Sequence, residues 1–118
     1  MAQFDLHRNK GPRKDTIPYL VIVQSALFDG YRRRLVVPLV RQSVLGPGMA
    51  VTRINPSFKV RGATVVLHPL DMVSVALEQL GERVGSLAEH GQTITDALDE
   101  VFTRAWNGTG ESGGPSAW

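Results

Sequence analysis

The side chains able to do chemistry are few and widely spaced. His7, His68 and His90 lie far apart with no ligand partner at helical or hairpin spacing, and the chain has no cysteine. No metal site is therefore expected. Gly46, Gly48 and Gly62 have neither the spacing nor the following Lys-Ser/Thr of a phosphate loop. Ser25, Ser43, Ser57, Ser74 and Ser86 sit in no nucleophile-elbow context. No cofactor is implied. The sharpest charged feature is the triplet Arg32-Arg33-Arg34. On a strand, Arg32 and Arg34 would project together and Arg33 oppositely. Such a group can grip phosphates or carboxylates, but its more ordinary role is a solvated strand end that discourages edge pairing. A hydrolytic ribonuclease could pair an arginine with Asp71 or His7, and spacing does not exclude it. The other candidate is Trp106, four residues beyond Phe102 on one helix face. A terminal tryptophan is more often a core lid, yet it is also the kind of rigid aromatic that anchors a protein interface.

That aromatic end belongs to the clearest element in the chain, Gln92 to Asn107. Ile94, Ala97, Leu98, Val101, Phe102, Ala105 and Trp106 recur at the period of one helix face. Thr93 or Thr95 can cap the start, Asp96, Asp99 and Glu100 suit the positive end of the helix dipole, and Arg104 suits the last turn. Asn107-Gly108 ends it. The stripe must lie against a sheet.

The preceding residues supply one. Gln3 to His7 alternates apolar and polar residues as a half-buried strand does. Arg8 to Thr16 is basic and broken by Gly11-Pro12, so it reads as a loop or a flexible hairpin tip. YLVIVQ (19–24) reads as a central strand buried on both sides. Asp29-Gly30 is a turn that closes a hairpin onto the returning strand RLVVPL (34–39), in which Pro38 marks an edge or a bulge. Phe58 to Val60, the Arg61-Gly62 corner and ATVVLH (63–68) continue the pattern. Met72 to Leu80 is ambiguous between a last strand and a helical turn, and Gly81 and Gly85 argue against a long helix there. Ala88 to Gln92 reads as a frayed first helical turn weakened by Gly91. The expected fold is β-rich α+β: a small antiparallel barrel or curled sheet with one C-terminal amphipathic helix packed across it.

Bulk properties agree. The chain has 118 residues, 42% hydrophobic and 20% charged, enough for one modest core and too little for two. We assign 1–107 to a single domain and 108–118, with its TGESGGPS run, to a flexible tail. The absence of cysteine, of a signal-peptide core and of any apolar run of membrane-spanning length points to the cytoplasm and to no membrane partner. The net charge of +2 conceals a split. Residues 1–70 hold eleven Lys and Arg against three Asp, giving +8, and residues 71–118 hold two Arg against eight acids, giving −6. The first part suits an acidic partner, nucleic acid or peptide.

Laid end to end, the chain resembles CcdB, the toxin family of the ccd toxin–antitoxin modules. The matching pieces are Gln3-Phe4, Val23-Gln24-Ser25, Arg32-Arg33-Arg34-Leu35-Val36-Val37-Pro38-Leu39, Asp71-Met72 with Ser74-Val75, Leu80-Gly81-Glu82-Arg83-Val84, and Ile94 with Ala97-Leu98 through Phe102. Their colinearity over about residues 2–106 makes the likeness specific. It implies a homodimer of SH3-like barrel subunits, a fold shared with the MazF/Kid ribonuclease toxins. Proteins similar to CcdB are not enzymes; they poison DNA gyrase by inserting between the arms of its A subunit and trapping the cleaved DNA complex. A disordered segment of a CcdA-like antitoxin wraps the dimer, neutralises it and represses the operon, so operator DNA is met only through the antitoxin.

In that family a Trp-Gly-Ile terminus follows a Phe and makes the gyrase contact. Here Phe102 matches the Phe, while Thr103, Arg104 and Ala105 stand where Trp, Gly and Ile would be. Trp106 is displaced by three residues, close to one helical turn, and regains a similar azimuth about 5 Å farther along the axis. Ser25, Leu27 and Phe28 match a neighbouring contact loop, and Asp99 stands where the family has Asn. The resemblance thus implies a gyrase-binding set of Ser25, Leu27, Phe28, Asp99, Phe102, Thr103 and Trp106. Two alternatives remain open: a MazF/Kid-like endoribonuclease using Arg33 or Asp71, and a non-toxic co-repressor that only binds an antitoxin.

Overall fold

Alternation at period two builds two cores on one sheet. From Tyr19 onward, Tyr19, Val21 and Val23 enter one hydrophobic cluster while Leu20 and Ile22 enter another, because successive strand residues face opposite sides. The computed structural model describes residues 2–45 and 54–105, the last three as backbone. Within them the chain runs β1 (Asp5–Asn9), β2 (Tyr19–Ile22), β3 (Arg33–Arg41), β4 (Ser57–Val60), β5 (Ala63–Leu67), β6 (Val73–Ala76), β7 (Leu80–Ser86) and α1 (Gly91–Ala105), with short 3-10 turns between several of them. The strands form one antiparallel sheet in the order β4-β5-β3-β2-β1-β7, with β6 also paired to β3. The architecture is a curled sheet, a half-barrel, with one C-terminal helix. This is the expected fold class.

The first cluster joins Val21, Val37, Leu39, Val65 and Leu67 to Ile94 and Ala97 of α1, all fully buried. The second joins Ile17, Leu20, Ile22, Val36 and Leu80, with Val40, Val73 and Val75 packed against it. YLVIV is therefore buried on both sides, as its nearly continuous apolar character requires.

Pro38 departs from expectation. It lies neither on an edge nor at a bulge but in the most connected strand, opposite Leu20 and almost fully buried. The reason is a change of partner. β3 pairs with β6 along Arg33–Val36 and with β5 along Leu39–Arg41, so Pro38 stands at the seam between them. Its carbonyl accepts from the His68 N–H (3.0 Å) on that side, where its missing N–H leaves no ladder partner unmet.

The Asp29-Gly30 turn does lie in the β2–β3 connection, and the two strands pair antiparallel. The connection is a long one containing a 3-10 turn, Ala26–Phe28. The Arg61-Gly62 corner is a two-residue hairpin loop with φ of 49° and 83°, the paired left-handed conformation that matches strand twist.

The basic stretch after β1 is more ordered than a flexible tip. Buried Asn9 donates from Nδ2 to the Ile17 carbonyl (2.8 Å) and accepts the Gly11 N–H on Oδ1 (2.9 Å). Lys14 and Ile17 N–H groups bond to the Gly11 and Arg13 carbonyls within the loop.

Strand β7 has no apolar alternation and is not apparent from its residues. It pairs with β1 through two register shifts, Asp5↔Ser86 and Leu6↔Gly85 giving way to His7↔Arg83 and Asn9↔Leu80. Gly81 permits this, since a Cβ there would lie 2.7 Å from the Arg8 carbonyl oxygen. Buried His7 donates from Nδ1 to the Gly81 carbonyl (2.9 Å).

Thr93 and Thr95 do not cap the helix. A 3-10 turn, Ala88–His90, leads straight into it at Gly91, which puts both threonines inside. Gly91 is required by packing, because a Cβ would meet the Phe4 ring at 2.8 Å. Phe4 itself holds a left-handed φ of 69°, fixed by its N–H to the Ile22 carbonyl (2.6 Å) and by its carbonyl accepting from Leu87 (2.8 Å).

Two outcomes follow for stability. Asp5 is 4% exposed, takes the Ala2 N–H at 3.0 Å and pairs with Arg83 at 3.2 Å. Burial acts to raise its pKa, but the Arg83 and Ala2 hydrogen bonds and the attraction of Arg83 and His7 together hold it below the ordinary 3.8. With the folded value below the unfolded one, its contribution is complete above pH 3.8 and is lost as pH falls through the folded value. Asp5→Asn is expected to cost about 1–3 kcal/mol at pH 7, with the gap to wild type closing in acid, read from urea midpoints across pH. Gly81→Ala is expected to cost about 1–3 kcal/mol by forcing β7 off Arg8, read from the same midpoints.

Candidate functional site

The connection from β2 to β3 presents apolar side chains to solvent on a rigid support. Ser25 caps the 3-10 turn by accepting the Leu27 N–H on Oγ (3.2 Å). Leu27 is 88% exposed, Phe28 48% and Tyr31 66%, and the Phe28 and Tyr31 rings stack with centroids 6.0 Å apart. Exposing this much apolar surface on a short segment marks a place where another surface fits.

Buried Arg34 holds the segment from beneath. Its guanidinium donates to the carbonyls of Asp29 (2.8 Å), Arg33 (2.9 Å) and Tyr31, and its Nε lies 3.8 Å from the Asp29 carboxylate. Gln24 closes the base, donating to the Phe28 carbonyl (3.1 Å) and accepting the Leu35 N–H (3.2 Å). The arginine triplet is thus divided differently from the strand expectation. Arg32 precedes the strand and reaches Glu78 in solvent (3.5 Å), whereas Arg34 is 4% exposed. Arg33 is exposed and crosses to β6, donating to Ser74 Oγ (2.9 Å) and to the Ser74 carbonyl (2.8 Å). Arg32 and Arg34 do not share a face, because the strand begins only at Arg33. The Glu78 carboxyl sits below its usual range, first through its own backbone N–H and then, against desolvation, through Arg32 and Arg33.

The second apolar group lies on α1. Ile94 and Ala97 are fully buried, Leu98 and Val101 are half-buried, and Phe102 is 59% exposed. The helical stripe therefore runs off the sheet at its C-terminal end. Asp99 and Phe102 stand three residues apart on neighbouring positions of one face. Thr103 is placed by its backbone within the helix, and Trp106 lies outside the described residues. Val23, two residues before Ser25, and Leu98, next to Asp99, both pack in the first core cluster. Tyr31 was not in the expected set; its signal is a second aromatic just beyond the Asp29-Gly30 turn.

The histidines have structural surroundings. His7 is buried against β7, His90 packs on Phe58 with centroids 5.1 Å apart, and His68 Nδ1 lies 3.3 Å from Asp71 across the 3-10 turn Pro69–Asp71, against which α1 packs. Among the described residues no group of three His, Asp or Glu could hold a metal ion, and no helix is long and apolar enough to cross a membrane.

Comparison with known proteins places this geometry. A family model described as CcdB protein matches residues 3–104. A search of curated proteins found no match. Among solved structures, the chain is similar to an endoribonuclease in complex with its cognate antitoxin from a mycobacterial species. The TM-score is 0.70 at 11% identity, covering 88% of this chain and 96% of that one. At that identity the likeness concerns the fold.

The role of Arg34 can be measured. Arg34→Met takes the guanidinium away from the Asp29, Tyr31 and Arg33 carbonyls and from beside the Asp29 carboxylate and is expected to cost about 3–5 kcal/mol. Arg34→Lys keeps the charge without the fork and is expected to cost about 2 kcal/mol. In the lysine variant, amide exchange should accelerate at Leu27–Tyr31 before it does in the cores; unchanged exchange there would show that the loop is held by something else.

Proposed function

The chain belongs to the CcdB family of toxin–antitoxin toxins, and on that premise we propose that it stops DNA gyrase by binding the gyrase A subunit rather than by catalysing a reaction. The contact surface in this reading consists of Ser25, Leu27 and Phe28 on the loop and Asp99, Phe102, Thr103 and Trp106 at the end of the helix, in a homodimer that presents two such surfaces. The observation that supports it best is the ordered, solvent-exposed apolar pair of elements, Leu27 with Phe28 and Phe102, on a chain of this family. Large apolar side chains on a pre-organised support are what an interface anchor needs, because little conformational entropy is lost on docking. An antitoxin is the second partner, and its binding relieves the toxicity. Operator DNA is met through that antitoxin.

A second reading, RNA cleavage, is favoured by one local observation. His68 Nδ1 lies 3.3 Å from the Asp71 carboxylate, without a hydrogen bond in this orientation, which brings together the two group types that general acid–base chemistry uses. Arg33, the arginine such a site would use for phosphate, is already directed onto Ser74.

Purified chain is expected to inhibit supercoiling by gyrase and to accumulate cleaved DNA. Leu27→Ala with Phe28→Ala, Phe102→Ala and Trp106→Ala are each expected to raise the concentration required by at least tenfold, the scale of a truncated interface anchor of about 2 kcal/mol. Normal supercoiling at large molar excess of the wild-type chain would sink the gyrase reading. Cutting of a mixed-sequence RNA that disappears in Asp71→Asn would replace it with the ribonuclease.

A further inference from the structure

At its C-terminal end β3 borders a cleft of about 510 Å³ lined by Arg41, Gln42, Ser43, Gly62, Ala63 and Thr64. Arg41 closes the strand, Gln42 and Ser43 belong to the 3-10 turn that follows it, and the other three residues come from the β4–β5 hairpin alongside. Arg41 is anchored twice. Its backbone N–H donates to the Thr16 carbonyl (2.9 Å) and its Nε to the Asp15 carbonyl (2.9 Å). Among the described residues its Nη1 and Nη2 have no partner, and the side chains of Gln42, Ser43 and Thr64 have none either. A guanidinium held at Nε keeps its remaining donors in a fixed plane, so little entropy is lost when they meet an anion.

The charge around the cleft is one-sided. Exposed Lys59 pairs directly with Thr64, so its side chain rises from the same face of the hairpin. Lys14 lies on the loop to which Arg41 is bonded. Across the segments 10–16, 41–44 and 57–67, Asp15 is the single acid. β4, β5 and β3 lie side by side, which sets the Arg41 and Lys59 backbones about 10 Å apart, two strand spacings. One carboxylate does not span that distance, whereas a row of phosphates does. Guanidinium, amide and hydroxyl donors are the groups that hold backbone phosphates. Ala63 is the one apolar side chain in the lining, too little to floor a pocket for a protein partner's side chains. No aromatic lines the cleft either, so nothing there stacks unpaired bases.

We propose that this cleft binds the phosphate backbone of duplex DNA without regard to base sequence. The Arg41 fork takes one phosphate, Lys59 a neighbouring one, and Gln42, Ser43 and Thr64 donate to the oxygens between them. Arg33 and Arg41 are the two ends of β3, about 27 Å apart at the rise of a strand. The loop carrying Leu27 and Phe28 leads into the Arg33 end, so DNA at the Arg41 end leaves that loop uncovered. The inference does not rest on the gyrase reading. Reading of the operator sequence stays with the antitoxin, and the cleft adds affinity that any duplex can claim.

The test follows the full-length chain and a short fluorescent mixed-sequence DNA duplex by anisotropy across a salt series, with the unlabelled single strand and polyglutamate as competitors. The wild-type chain is expected to bind, with affinity falling linearly on a log–log salt plot. Arg41→Gln and Lys59→Gln are each expected to weaken binding about five- to tenfold near 0.1 M salt and to lower the salt slope by about one, the counterion release of one phosphate contact. Arg41→Lys should recover part of the loss. Arg32→Gln removes the same charge at the far end of β3, beyond the roughly 10 Å over which exposed charges act at that salt, and is expected to change affinity by less than about twofold. Urea midpoints establish that each variant folds, and Lys59→Gln, which breaks no bond among the described residues, serves if Arg41→Gln does not. Absence of duplex binding by the wild-type chain overturns the proposal, as does binding unchanged in the cleft variants or weakened equally by Arg32→Gln. A single strand that competes better than the duplex assigns the cleft to unpaired nucleic acid, and polyglutamate that displaces the duplex at equal charge assigns it to an acidic polypeptide; either result overturns the duplex. Inhibition of supercoiling is read separately and stands or falls on its own.

Discussion

Strand β3, nine residues from Arg33 to Arg41, shares one of its edges between two partners, and the rest of the sheet hangs on that arrangement. β2 lies along its other edge in unbroken register. The strand contributes Val36 to one core and Val37 and Leu39 to the other, so both hydrophobic layers are aligned by one segment. Antiparallel ladders tolerate a proline only where an N–H is not needed. Pro38 falls at the one place in this strand where one partner has ended and the next has begun. A residue that would weaken an ordinary central strand here coincides with the division of labour between β5 and β6.

Around that frame, buried polar side chains decide the shape of the connections. Arg34 gathers the carbonyls of the β2–β3 loop, Asn9 ties the basic turn to Ile17, and His7 fastens β1 to the irregular strand β7. Each lies in a low-dielectric setting where an unmet polar atom is costly, and each meets backbone groups outside the ladders, although His7 Nε2 and Arg34 Nε themselves are left without a hydrogen bond. A buried charge is a poor source of stability in itself. Its benefit at Arg34 is specificity: three carbonyls point inward, and the side chains of Leu27, Phe28 and Tyr31 are left pointing out.

What the chain leaves exposed follows from this division between layers. On the first-core side, apolar residues that would ordinarily close the domain run past its edge, at Phe102 on the helix and Leu27 on the loop. On the second-core side, Arg33, held on Ser74, lines a cleft together with Val73 and Val75. Membership of the CcdB family makes this chain the toxin of a toxin–antitoxin module.

Much of this was legible in the residues. The β-branched runs 19–24 and 34–39, the Arg61-Gly62 corner and the helical stripe from Ile94 follow from side-chain period and turn chemistry, which are local properties. Strand β7 was not legible, because LGERVGS is held by bulged pairing to β1 and by the close approach of Gly81 to Arg8, neither of which leaves an alternating pattern. The threonine caps failed because the 3-10 turn ahead of Gly91 extends the helical path and the Phe4 ring sets its start. For the site, the family resemblance picked out Ser25, Leu27, Phe28, Asp99, Phe102, Thr103 and Trp106; of these, the exposure of Leu27, Phe28 and Phe102 is a tertiary fact that the residues do not encode.

The sequence by itself determined the types of the clearly patterned elements, the strand runs at 19–24 and 34–39 and the final helix, together with the two-sided burial of β2, the charge split and the family, because each depends on composition and short-range order. Only the tertiary structure decided how the three adjacent arginines are used. Their fates differ because β3 begins at Arg33, which turns Arg34 into the interior beneath a loop, aims Arg33 across to Ser74 and leaves Arg32 in solvent. Which carbonyls and hydroxyls a guanidinium can reach depends on strand pairing across more than forty positions of sequence, and no local pattern encodes it.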